Sequence, residues 1–154
     1  MSNLIEAAKK QIDKLVKEAY QKAAEKGELP AGVELKGTVE IPKEVSHGDY
    51  ACSYAMAAAR DMKMPPRKIA EALAGELCLE GSFFENVSIA GAGFLNFRLS
   101  DVWYADVLKS VEDEGRLYGS SNAGNGERVM VEFVSANPTG PMHMGNAQIG
   151  RAHV

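Results

Sequence analysis

The chain has little cysteine, no long apolar run and no excess of positive charge, and each shortage narrows what it can be. Cys52 and Cys78 are the two cysteines among 154 residues, far apart and without Cys-x-x-Cys spacing. They argue against a disulfide framework and against a zinc site, and they fit a reducing cytoplasm. No apolar run approaches the length of a membrane span, and the N-terminus is polar and charged rather than a secretory signal. The net charge of −4 counts against a protein coated for nucleic acid, so any such contact has to use a local patch. Internal repeats and low-complexity tracts are also lacking. What remains is ordinary for a soluble globular chain, with 45% hydrophobic and 25% charged residues.

Taken in order, positions 3–26 read as a long amphipathic helix, with Ile5, Ala8, Ile12, Leu15, Val16, Ala19 and Ala23 at helical spacing. Asn3 suits its cap, Glu6 stands three residues on, and Gly27 suits its end. Thr38-Val-Glu-Ile41 alternates like a half-buried strand that Pro42 stops. Ser46-His-Gly-Asp-Tyr50 is a turn, and Ala51 to Arg60 reads as a helix behind it, with Asp49 as a cap in preference to an acid/base pair with His47. A second helix opens at Met64-Pro-Pro66 and runs to about Leu79, with Ile69, Leu73 and Leu77 on one stripe. Arg60, Lys63, Arg67 and Lys68 gather around its start as the best basic cluster of the chain, a binding patch or ordinary surface charge.

Asn86 to Ala90 and Phe94 to Leu99 read as two strands joined by Gly91-Ala-Gly93. Period two puts Leu95, Phe97 and Leu99 on one face and Phe94, Asn96 and Arg98 on the other. An aromatic ring, an amide and a guanidinium in a row can stack on a base, bond its edge and hold a phosphate. The same row also suits packing against another layer. Ser100 is a fitting cap for a helix from Asp101 to Glu114 that Gly115 closes, with Val102, Leu108 and Val111 turned inward and Trp103 and Tyr104 as core or rim anchors. Gly, Ser and Asn then accumulate from 115 to 127, which reads as a linker. The expected domains are 1–114, a linker at 115–127, and a further unit from 128 to 154.

That last unit opens with the apolar, β-branched run Val129-Met-Val-Glu-Phe-Val-Ser135, long enough for one buried strand. It continues into Ala136-Asn137-Pro138-Thr139-Gly140-Pro141-Met142-His143-Met144-Gly145-Asn146, a breaker-rich turn before a segment able to start a helix. Strand, turn and helix start is a layout that α/β folds use to bind phosphates. His143-Met144-Gly145-Asn146 resembles the His-Ile-Gly-His signature of class I aminoacyl-tRNA synthetases. The longer run from Val131 to Pro141 resembles the arginyl-tRNA synthetase family in particular. His47-Gly-Asp-Tyr50-Ala and the strand from Gly93 to Phe97 resemble elements of that family's N-terminal domain. The strand's aromatic and Asn, matched here by Phe94 and Asn96, meet the tRNA D-loop in the family.

The resemblance implies an α+β fold: a small antiparallel sheet packed with helices, followed by the first strand-turn-helix of a truncated Rossmann-like catalytic domain. It implies that the full enzyme is an arginine–tRNA ligase in the cytoplasm, joining L-arginine to tRNA(Arg) with ATP and Mg²⁺. His143 and Asn146 would be catalytic, and Ser135, Asn137, His143, Gly145 and Asn146 would bind ATP and arginine. Phe94, Asn96 and Arg98 would bind tRNA. No metal site, no membrane contact and a monomer are expected. Two departures stand out: Asn146 replaces the second histidine and cannot carry positive charge, and Gln148-Ile-Gly-Arg-Ala-His-Val154 leaves the family pattern. The remaining catalytic strands, the Lys-Met-Ser-Lys-Ser-like loop and the anticodon-binding domain are expected to lie outside this chain, which alone would then be inactive. The rival readings are a stand-alone RNA-binding module and a purely structural domain packing on a catalytic body.

Overall fold

The computed structural model describes residues 4–130. Four helices and four short strands follow in the order α1 (Leu4–Glu25), β1 (Val39–Glu40), β2 (Tyr50–Cys52), α2 (Tyr54–Met62), α3 (Pro66–Glu76), β3 (Phe84–Ala90), β4 (Phe94–Leu99) and α4 (Asp101–Glu114). This is the expected α+β domain, a four-stranded antiparallel sheet in the order β1-β2-β4-β3 packed with helices. The chain divides into two compact units, Met1–Tyr118 and Gly119–Val154. The expected Rossmann-like unit from 128 is described only as far as 130, and its signature at 136–146 lies outside the described residues.

The stripe of α1 is buried as its periodicity requires: Ala8, Ile12, Val16, Ala19 and Ala23 are sealed. Ile5, at the edge of the stripe, stays exposed. The five share one core with Ile69, Ala70 and Leu73 of α3, Ala55, Ala58 and Met62 of α2, and Leu95, Phe97 and Leu99 from the sheet. Phe84 stacks edge-on against both Tyr50 and Phe97 at centroid distances of 6.1 and 5.3 Å, so the core of the sheet is aromatic. Tyr54, at the start of α2, donates a hydrogen bond to Asp13 of α1. The Lys17 ammonium and the Tyr54 hydroxyl both bond Asp13 and hold its carboxyl below the usual range. Burial, and then that bond to Asp13, pushes the Tyr54 phenol well up. Burial pushes the Cys52 thiol up to about 12, so it stays a protonated core group.

Three expectations are corrected. Residues 50–52 form a strand, and the helix begins only at Tyr54. Alanine favours helix, but pairing with both β1 and β4 satisfies this segment's backbone and puts Tyr50 and Cys52 into the core. Asp49 therefore caps no helix. Its carboxylate accepts the Leu99 N–H at 2.8 Å and its own N–H donates to the Phe97 carbonyl at 2.9 Å, tying the turn to β4. Finally, α4 buries none of its residues: Val102, Leu108 and Val111 are exposed, and only Trp103 packs on the core, its indole N–H donating to the Leu4 carbonyl. One end also shifts, since α3 stops at Glu76; α4 keeps its expected bounds, but the Ser100 hydroxyl donates to the Phe83 carbonyl instead of capping it.

Candidate functional site

The helices cover one face of the sheet, and the other face carries a concavity of about 400 Å³, within the size range of small-ligand sites. Cross-strand register explains its floor. Glu40 stands opposite Ala51, Ala51 opposite Asn96, and Asn96 opposite Ser88, in one row across all four strands. Phe94 pairs with Ala90 at the hairpin end. Small residues beside Phe94 and Asn96 leave room above them. Pro42, His47 and Gly91 complete the wall.

Asn96 is the informative residue. It is 6% exposed, the buried polar residue of the described part, yet its amide makes no hydrogen bond among the described residues. No side-chain polar atom there is both sealed and unpartnered, so the amide reaches solvent through the concavity it lines. Buried amides are normally satisfied within the protein. This one keeps donors and an acceptor open beside Phe94, whose ring is 37% exposed. The pair offers an aromatic face and a hydrogen-bonding edge. The Glu40 carboxylate, which accepts from Thr38 Oγ1 at 2.8 Å, adds an acceptor at the far side.

Phe94 and Asn96 thus come together as their alternation predicts. Arg98 is exposed further along the strand and does not line the concavity. His47 and Glu40 were missed by sequence reasoning as site residues. Their approach depends on how the Ser46–Tyr50 turn docks on β4. Gly48 has φ +81°, and a Cβ there would stand 2.8 Å from the Phe97 carbonyl oxygen. Only glycine permits that approach, and the approach carries His47 to the rim. The available signal was the glycine itself, directly after the histidine. His47 faces Glu44 at 3.9 Å and makes no acid/base pair with Asp49. The expected ATP- and arginine-binding residues, Ser135 to Asn146, lie outside the described residues, and among those described no cluster of metal-ligating side chains forms. No helix of the described part is long and apolar enough to cross a membrane.

An open sheet face that carries an aromatic ring and an amide side by side is a layout that several RNA-binding folds use for a ligand. Comparison with known proteins narrows this. Residues 9–99 match the family described as arginyl tRNA synthetase N terminal domain. The chain is 46% identical over 150 residues to an arginine–tRNA ligase of Acetivibrio thermocellus, covering 97% of this chain and 27% of that protein. It is 47% identical over the same length to the ligase of Caldanaerobacter subterraneus, again covering 97% and 27%. The fold is shared with an arginyl-tRNA synthetase from Plasmodium falciparum at a TM-score of 0.52 and 18% identity, covering 67% of this chain and 18% of that one. The chain belongs to the arginyl-tRNA synthetase N-terminal domain family and spans about a quarter of the length of the relatives it matches.

Proposed function

We propose that this chain is the N-terminal, tRNA-recognising part of an arginine–tRNA ligase, and that the concavity on the open sheet face takes an unstacked base of the tRNA(Arg) D-loop. The observation that carries the reading is the unpartnered amide of Asn96 beside the exposed ring of Phe94. A base stacked on Phe94 gains apolar contact. Its edge satisfies the Asn96 amide, which has no partner among the described residues. The Glu40 carboxylate disfavours a phosphate in the concavity and favours the N–H groups of a base. Arg98, further along β4, is suited to the adjoining backbone.

The whole enzyme would join L-arginine to tRNA(Arg), with ATP as its Mg²⁺ complex. Ser135, Asn137, His143, Gly145 and Asn146 are the candidates to hold ATP and arginine, with His143 and Asn146 at the phosphate. This chain alone is expected to be a cytoplasmic monomer without arginine-dependent ATP–pyrophosphate exchange. A second reading, a domain that packs on a larger body, draws on α4, whose Val102 and Leu108 are exposed.

The test is a titration of tRNA(Arg) transcript with this chain, its Phe94→Ala and Asn96→Ala variants, and a transcript substituted in the D-loop. Each change is expected to weaken binding by about 1–3 kcal/mol, the usual worth of a stacked base. Equal binding by all would leave the packing reading in possession.

A further inference from the structure

The basic cluster noted in the sequence flanks the start of α3, which the β3–β4 hairpin touches. Gly91 lines the concavity, and two residues on Gly93, at φ +139°, lies so close to α3 that a Cβ there would stand 2.8 Å from the Pro66 carbonyl. Pro66 begins α3, with Arg67 and Lys68 next in its first turn, and Arg60 and Lys63 close α2 just before it. The β3–β4 hairpin therefore joins the aromatic-and-amide floor to a cationic corner. Arg60, Lys63, Arg67 and Lys68 are all exposed. Arg67 pairs with Glu71 at 3.3 Å, whereas Arg60, Lys63 and Lys68 enter no ion pair among the described residues. Asp61 and Glu71 are the carboxylates of the stretch, so the corner is net positive on a chain of net charge −4. Arg67 and Lys68 also sit where the helix dipole disfavours cations, a placement that helix stability does not explain.

We propose that the α2–α3 corner carries the sugar-phosphate backbone of the RNA strand whose base enters the concavity, an inference that rests on the base-binding reading above. The two halves divide the work by charge. The carboxylate-bearing floor takes a base, and Arg60, Lys63 and Lys68 neutralise the flanking phosphates. Phosphate contacts position the strand without reading it. A protein of negative net charge then binds RNA through a patch, not its overall field.

The experiment is a titration of this chain with tRNA(Arg) transcript over a series of salt concentrations. Each phosphate contact on a single strand contributes about 0.7 to the log–log salt slope. R60Q/K63Q/K68Q is expected to reduce the slope by about two, for native and D-loop-substituted transcripts alike. The charge-preserving R60K/K63R/K68R is expected to keep it. F94A is expected to weaken binding at an unchanged slope. A triple variant with the wild-type slope, while F94A weakens binding, overturns the corner and leaves the concavity reading standing. A reduced slope with F94A indifferent keeps the corner and sinks the concavity reading. Wild-type binding by every variant removes both. Thermal melts of the variants separate lost contacts from lost fold.

Discussion

The two faces of β4 are built from six consecutive residues and do opposite things. Leu95, Phe97 and Leu99 are sealed against the helices, while Phe94 and Arg98 are exposed and Asn96 opens its amide to a concavity. The buried face stores stability and tolerates little change. The open face keeps the Phe94 and Arg98 side chains and the Asn96 amide available for a ligand. Alternation along one strand thus separates what holds the domain together from what it can recognise.

Substitutions on the two faces test that division. Phe97→Ala removes a fully buried ring that stacks on Phe84 and is expected to destabilise by about 3–5 kcal/mol in a denaturant melt. A loss below about 1 kcal/mol would mean that the sheet's core side is not what stabilises the unit. Gly48→Ala comes next. It strains a residue at φ +81° and pushes a methyl into the Phe97 carbonyl, with an expected cost of about 1–3 kcal/mol. Because the same turn carries His47, RNA binding should fall with it. On the open face, Asn96→Ala is expected to shift stability by less than about 0.5 kcal/mol, since the amide has no bond to lose within the described part. A large loss there would show that Asn96 is structural and break the contrast.

The smallest effect is expected on the helical side, at Asp13. Its hydrogen bonds from Lys17 and Tyr54 lower its folded pKa below 3.8. A carboxylate lowered in the folded state contributes stability that is fully present above its unfolded value and is lost as pH falls through the folded one. Asp13→Asn should therefore be less stable than the wild type at neutral pH. The gap should close below about pH 3.8. A gap independent of pH would show that the Asp13 charge is not what matters.

Helix α1 and helix α4 show how far the sequence could be read. Both carry apolar residues at helical spacing, and both form. The stripe of α1 is long and includes five residues that the structure seals. In α4 only Trp103 meets the core, and Val102, Leu108 and Val111 stay out. Periodicity says which residues share a face, and it does not say whether a neighbour covers that face. The segment 50–52 failed for the same reason: local preference favoured helix, and pairing with β1 and with the distant β4 claimed it.

From the residues alone came the stripe of α1, the hairpin with its glycines, the alternation that pairs Phe94 with Asn96, and the basic cluster near Pro66. All of these depend on neighbours a few positions apart, where backbone geometry sets the spacing. Tertiary structure decided the rest. It set Glu40, Ala51, Ser88 and Asn96 in one row, brought His47 to the rim, left the Asn96 amide without a partner among the described residues, and laid the hairpin against the start of α3. The contacts that decide them, Ala51 with Asn96, Gly48 with Phe97 and Gly93 with Pro66, join segments tens of residues apart. No local pattern encodes which strand will stand beside which.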